Sequence, residues 1–237
     1  MAWGRQVTLL FTDTKSEDED TYRFLRDGAA RLGVELVEIA DGRNIWEVFR
    51  DVKFLGNTRA DPCSRILKRD LARKWLEAHR DPADTDIIVG IDWTESHRFE
   101  RMAERWKPWT IHAPLCDAPY LSKEQMHQLA ESQGLPRQRL YRMGAGHANC
   151  GGGCVKAGIG HFARLYKVWP ERFAEWEANE QTMRDQLGDV AILRDRTGGT
   201  TTPLTLTSLR ERLDNAETVD LFEIGGCGCM VEGEDSE

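Results

Sequence analysis

The 237-residue sequence lacks any apolar run long enough to cross a bilayer. Its one early run, Val7 to Phe11, stops at Thr12-Asp13, so neither a secretory signal nor a membrane partner is expected. Cysteine is sparse: six in a chain this long do not make a disulfide scaffold, and a reducing cytoplasm is the expected compartment. A basic excess is also missing. The formal net charge is −8, which argues against gross binding of nucleic acid but leaves room for a local basic pocket. No internal repeat is visible. The length suits one α/β domain plus an extension, with residues 1–187 as the domain and 188–237 as the extension.

What is present reads as alternating strands and helices. Val7-Thr8-Leu9-Leu10-Phe11 has the continuous apolar character of a buried parallel strand. Glu17-Asp18-Glu19-Asp20 then favours a helix start, Tyr22, Leu25, Ala29 and Leu32 share a helical face, and Gly33 stops the helix. Further strands are expected at 35–39 and 86–91, with a helix over 64–79 between them. Such an order predicts a parallel, doubly wound α/β sheet, in which ligands sit beyond the carboxyl ends of the strands. Asp13 and Asp92 lie just past such ends. A helix over 96–106, a short strand near 110–112 and a helix capped by Ser122 with Gln125 as its box partner follow. Residues 136–153 read as a glycine-rich loop and 162–187 as mostly helix, with Pro170 at a first turn. Thr207 is expected to cap a short helix before an acidic end.

Five segments carry candidate chemistry. Asp13-Thr14 at a strand end suits contact with an adenine edge and a ribose, or a plain turn and cap. Cys63 opens a helix with Arg65, Lys68 and Arg69 within two turns, an arrangement that attracts anions and depresses a thiol pKa, or else a solvated basic face. Arg98, after Gly90-Ile91-Asp92, suits clamping an oxyanion, or pairs with Glu95 at helical spacing. Cys150 and Cys154 flank three glycines, and thiolates on tight loops suit a metal or an iron–sulfur cluster together with Cys63. His147 is near enough in sequence to join them, as in a zinc site, while His112, His127 and His161 read as structural. Cys227-Gly-Cys229 after two glycines suits a swinging nucleophilic arm, or two late metal ligands, or idle thiols. Leu221, Phe222 and Ile224 just before it point to docking of this end.

Taken in order, these segments resemble the phosphoadenosine phosphosulfate reductase family of the adenine nucleotide alpha-hydrolase (PP-loop) superfamily. The match rests on Leu10-Phe11-Thr12-Asp13-Thr14 with the Tyr22 helix, Cys63-Ser-Arg-x-x-Lys68, Gly90-x-Asp-x-x-Glu95-Ser96-x-Arg98, and the Cys150/Cys154 loop after Gly134-Leu135-Pro136 and Leu140-Tyr141. It covers about residues 7–180. The resemblance implies an adenine nucleotide, phosphoadenosine phosphosulfate or ATP, with Thr12, Asp13 and Thr14 near the adenosine. It places Gly90, Ile91 and Arg98 near the ribose and charged groups, and Arg65 and Lys68 beside the anion. It implies a four-iron four-sulfur cluster on Cys63, Cys150 and Cys154, with zinc as the alternative, and a fourth ligand from Cys116, His147, Cys227 or Cys229. Cys227 and Cys229 stand for the catalytic tail thiols, and a thiol reductant or a sulfur donor is the implied partner. The activity is then sulfonucleotide reduction or ATP-dependent sulfur transfer to a nucleic acid or metabolite, or, without turnover, nucleotide binding as a partner subunit. The chain departs from the pattern in three places: Pro62 replaces one cysteine of a pair, the tail sequence differs, and the family's first strand and glycine-rich phosphate loop have no counterpart before Val7. A second chain supplying that loop is one expectation that follows.

Overall fold

The computed structural model describes residues 6–57, 59–196, 199–223 and 225, about half of them helical. Strand β1 (Thr8–Asp13) leads through helix α1 (Glu19–Leu32) into β2 (Glu35–Ala40), and the strands pair in parallel from Thr8 opposite Glu35 to Asp13 opposite Ala40. The acidic residues expected at the start of α1 are there, Glu19 and Asp20 in its first turn. Gly33 ends it at φ 63°, donating its N–H to the carbonyls of Ala29 and Ala30. Leu32, expected on the inner face, is 59 % exposed, because the helix has already reached its end there.

Helix α2 (Ile45–Val52) has no counterpart in the sequence reading, although its capping box is complete: the Asn44 side chain accepts from the Trp46 and Glu47 amides, and Glu47 accepts from the Asn44 amide. The helix expected over 64–79 begins earlier, with Pro62 in the first turn of α3 (Pro62–Ser64). It then widens into a π-helical stretch, Arg65–Asp70, before α4 (Leu71–His79). Strand β3 (Asp86–Ile88), helix α5 (Ser96–Arg105) and β4 (Thr110–His112) form a second parallel pair. No backbone hydrogen bond joins β1 to β3. The described residues therefore form a mixed α/β structure with two parallel strand pairs.

Helix α6 (Lys123–Ser132) carries the expected Ser122/Gln125 box. The glycine-rich stretch after it holds the short helix α7 (Arg139–Arg142). Helices α8 (Ile159–Val168) and α9 (Pro170–Leu187) are separate, broken before Pro170. Strands β5 (Leu193–Asp195) and β6 (Thr202–Leu204) form an antiparallel pair before α10 (Leu206–Asp214). The cap of α10 is Thr205 rather than Thr207, since it is the Thr205 hydroxyl that accepts the Ser208 amide.

Two apolar cores result. The larger gathers Val48 and Phe49 of α2, Leu67 of the π-helical stretch, Phe162 of α8, and Phe173 and Trp176 of α9. Residues after Leu187 join it: Ile192, Leu193, Leu204, Leu206 and Leu209. The smaller joins α4, α5 and β4 through Leu76, Met102, Trp106 and Ile111, with Leu10 of β1 packed against it. Among the described residues no helix is long and apolar enough to cross a membrane.

The large core closes tightly on the cysteine loop. A Cβ on Gly153 would stand 2.2 Å from Cε2 and 2.4 Å from Nε1 of Trp176. At φ −113° the backbone there suits any residue, so only space demands glycine. Gly153→Ala is expected to cost about 1–3 kcal/mol in urea unfolding, as overpacking does. Part of that loss should return when Trp176→Phe is added, although Trp176→Phe alone is destabilising. A Gly153→Ala chain as stable as wild type would contradict this packing.

Candidate functional site

At the carboxyl end of β1 the chain turns through Asp13, Thr14, Lys15 and Ser16 into a carboxylate that organises the region. The Glu17 side chain is 4 % exposed and accepts three hydrogen bonds: from the Thr14 hydroxyl at 3.0 Å, from Lys68 Nζ at 3.3 Å and from the Cys150 amide at 2.9 Å. Three segments far apart in sequence, the end of β1, the π-helical stretch and the cysteine loop, thus meet on one buried carboxylate. The π-helical stretch turns Lys68 inward to it, with the Lys68 side chain 13 % exposed, while Arg65 stays exposed.

Asp13 is buried and accepts from the Tyr22 hydroxyl at 2.7 Å and the Lys15 amide at 2.8 Å, with Lys15 Nζ at 2.9 Å. Burial pushes its carboxyl up, but the Tyr22 and Lys15 bonds outweigh it and hold the group below the ordinary carboxylate value. Tyr22 in turn is pushed up, first by burial and then by the Asp13 carboxylate. Thr14 is buried at 1 % exposure, and Thr12 is half-buried in β1. Beside Cys63, the buried Asp61 and Arg69 stand 4.0 Å apart, and burial raises the Asp61 carboxyl.

Cys63, Cys150 and Cys154 are buried in the same core as thiols rather than disulfides. Cys150 and Gly151 both take left-handed backbone, at φ 50° and 62°, and this coils the loop so that the Cys150 and Cys154 thiols hydrogen-bond each other. That contact, then burial, then Glu17 push the Cys150 thiol well up. Arg172, from the first turn of α9, clamps the loop from outside, donating to the carbonyls of Gly151 at 3.0 Å, Ser16 at 3.1 Å and Cys150 at 3.2 Å. His161 is buried with Nε2 2.6 Å from the Gly152 carbonyl, the structural role expected of it. His147 stacks on His161 with centroids 4.4 Å apart. Both its ring nitrogens are buried without a hydrogen-bond partner among the described residues, and burial first, then His161, Lys123 and Lys68, push it down to about 3.

The remaining candidates lie elsewhere. Gly90 is exposed, Ile91 is buried in the smaller core, and Arg98 pairs with Glu95 at 2.5 Å, the helical-spacing pair. Among the described residues none of the three has a hydrogen bond to the Glu17 group. Cys116 packs against the smaller core, and its thiol donates to the Ile91 carbonyl at 3.4 Å. Cys227 and Cys229 lie outside the described residues. The chain leading to them does dock, but not through apolar side chains: Leu221 is 59 % and Phe222 94 % exposed. Backbone makes the contact instead, with the Gly160 amide donating to Glu223 O at 2.9 Å and Gly225 bridged antiparallel to Ala157. Ile224 lies outside the described residues. Among the described residues no group of three or more His, Cys, Asp and Glu side chains stands ready to hold a metal.

The sequence reading missed Glu17 as a site residue, taking it for a helix-start charge, and missed Asp61 and Arg172. Burial of a lone carboxylate leaves no local pattern; only the tertiary meeting of its three donors marks it.

No known protein family profile matches the chain, and no solved structure does. An uncharacterized protein of Methanocaldococcus jannaschii is 24 % identical over 194 residues, 79 % of this chain and 39 % of that protein. The chain therefore spans about two fifths of the length of the curated relative it matches.

Proposed function

We propose that the chain binds an adenine nucleotide at the carboxyl ends of its parallel strands and serves sulfur chemistry of the phosphoadenosine phosphosulfate reductase type, in the cytoplasm. One observation carries this reading: the Asp13-Thr14 turn, Lys68 and the Cys150 loop converge on Glu17. A base and ribose held at the end of β1 would thus lie on the same side of the molecule as the thiol group. In the reductase version a tail thiolate, Cys227 or Cys229, attacks the nucleotide's sulfur, forming an S–S bond as the nucleotide phosphate leaves. A thiol reductant then releases sulfite and becomes half of a disulfide. In the transferase version ATP activates an acceptor that receives sulfur from a donor.

The parallel pairs β1-β2 and β3-β4 are read as parts of one doubly wound sheet. Among the described residues β1 and β3 have one strand partner each, which suits insertion of a further strand and its phosphate-cradling loop from a partner segment.

A thiolate-bound metal on Cys63, Cys150 and Cys154 is supported by their burial in one core and by the left-handed glycine-rich turn that brings Cys150 to Cys154, while as they stand the three do not form a ready metal-holding group. Such a centre, iron–sulfur or zinc, would supply a rigid sulfur-binding or Lewis-acid position. The chain's own work is to hold it: Glu17 fixes the Cys150 amide and Arg172 fixes the loop carbonyls.

Calorimetric titration with ATP and with phosphoadenosine phosphosulfate tests the reading. Binding is expected, and Asp13→Ala should weaken it about tenfold, the equivalent of about 1.4 kcal/mol. Sulfite release with a thiol donor then selects the reductase, and binding without turnover selects the partner subunit. Absence of binding to either nucleotide, in a folded chain, rejects the proposal.

A further inference from the structure

The turn after β1 keeps its flanks inside and puts Lys15 outside. Asp13 and Thr14 before it are buried, Ser16 after it is half-buried, the Glu17 side chain is buried, and Lys15 is exposed. Three contacts hold the turn in shape around it. The Thr14 hydroxyl donates to Glu17 at 3.0 Å, the Ser16 hydroxyl to the Thr14 carbonyl at 3.3 Å, and Arg172 to the Ser16 carbonyl at 3.1 Å. Lys15 stands there at φ 55°, in the left-handed region where a side chain crowds its own backbone and glycine or asparagine is the usual occupant. Lys53 shares that conformation, but as the residue that ends α2. Lys15 ends no helix, so the strain at a strand's carboxyl end points to its side chain.

That side chain is half exposed, with Nζ 2.9 Å from Asp13 Oδ2. Asp13 Oδ1 accepts the Lys15 amide at 2.8 Å and the Tyr22 hydroxyl at 2.7 Å. The carboxylate thus fixes both ends of Lys15. An ammonium has three N–H groups, and Asp13 engages one side of it, which leaves donors directed outward. The acidic stretch that follows is largely neutralised. Glu17 has Lys68 at 3.3 Å, Asp18 has Arg139 and Asp20 has Arg23 at 2.5 Å. An anion approaching the turn therefore meets a presented cation rather than a row of bare carboxylates.

We propose that Lys15 receives the anionic end of the nucleotide, its phosphoryl or sulfuryl group, and that Asp13 is the positioning residue that holds the ammonium for it. This deepens the nucleotide part of the reading above and rests on it. Lys15 is then the residue that selects a charged nucleotide over the bare nucleoside.

The test is calorimetric titration of the full chain with ATP, phosphoadenosine phosphosulfate and adenosine, in wild type, Lys15→Gly and Lys15→Arg. Lys15→Gly removes the ammonium and relieves the left-handed backbone, so it should unfold at a urea concentration no lower than wild type does. It should bind ATP and phosphoadenosine phosphosulfate about tenfold more weakly, the loss of a charge-assisted contact, with adenosine unchanged. Added salt should weaken ATP binding less in Lys15→Gly than in wild type, because one screened attraction is gone. Lys15→Arg keeps the charge and should stay within about threefold of wild type. Equal losses for ATP and adenosine would make Lys15 a prop for the turn. That result, or ATP affinity and salt dependence unchanged in Lys15→Gly, or a loss in Lys15→Arg as large as in Lys15→Gly, overturns the inference and leaves nucleotide binding standing. A folded wild-type chain that binds none of the three ligands overturns the inference together with the proposed function.

Discussion

Glu17→Ala is expected to lower stability by about 3–5 kcal/mol in urea unfolding, the loss found when one partner of a buried charge pair is removed. The side chain carries the Lys68 ammonium, the Thr14 hydroxyl and the Cys150 amide on its two oxygens. Alanine leaves a positive charge at a side chain only 13 % exposed, with two further donors unsatisfied. Glu17→Gln keeps an acceptor but cancels the charge, and should cost about half as much. The paired change Glu17→Leu with Lys68→Met should be less damaging than Glu17→Leu alone, because it removes the stranded charge along with its partner. If all these chains unfold within about 0.5 kcal/mol of wild type, the hub is ordinary surface chemistry and does not organise the site.

The second large effect lies in the main core. Glu180 is 1 % exposed in the middle of α9, and its carboxylate accepts the amides of Ile192 at 2.9 Å and Leu206 at 2.6 Å. It therefore ties the start of β5 and the start of α10 to α9. Glu180→Ala orphans two buried amides, each worth about 1–3 kcal/mol, for an expected loss of about 2–6 kcal/mol. Burial pushes the Glu180 carboxyl above its ordinary value of 4.5, although the two amides pull it back in part. The folded chain then binds the proton more tightly than the unfolded one. The group's contribution is complete below pH 4.5 and declines as the pH rises from there through the raised folded value. Glu180→Gln cannot titrate, so the gap in unfolding free energy between wild type and this variant should narrow as the pH rises across that window. A gap that is constant or widens would mean that the carboxyl is not raised in the folded state.

The readable elements were those with local causes. The apolar run of β1, the acidic start and glycine stop of α1, the Ser122/Gln125 box and the break at Pro170 each depend on residues within a few positions of one another. Helix α2 has no counterpart in the sequence reading although Asn44 and Glu47 spell its capping box, since its eight residues give only about two turns of period to read. The β5-β6 pair was missed for a different reason. Its three-residue strands have no period to read, and they form because Leu193 and Leu204 bury against α9. Among the candidate site residues, the cysteine spacing around three glycines was visible, and the shared burial of Cys63 with Cys150 and Cys154 follows it. Arg98 could be read as an oxyanion clamp or as the partner of Glu95, and the structure pairs it with Glu95 at 2.5 Å.

By itself the sequence determined the alternation of strands and helices, the parallel sense of β1 with β2 and β3 with β4, and the glycines that permit a coiled thiol loop. Those follow from periodicity, capping and backbone freedom, which act over a few residues. Tertiary structure alone decided that the Glu17 side chain is buried, that Lys68 turns inward while Arg65 does not, and that Glu223 and Gly225 meet Gly160 and Ala157 backbone to backbone. A charge is buried, or a thiol brought near another, only when segments a hundred residues apart pack together, and no local pattern records which segments those will be.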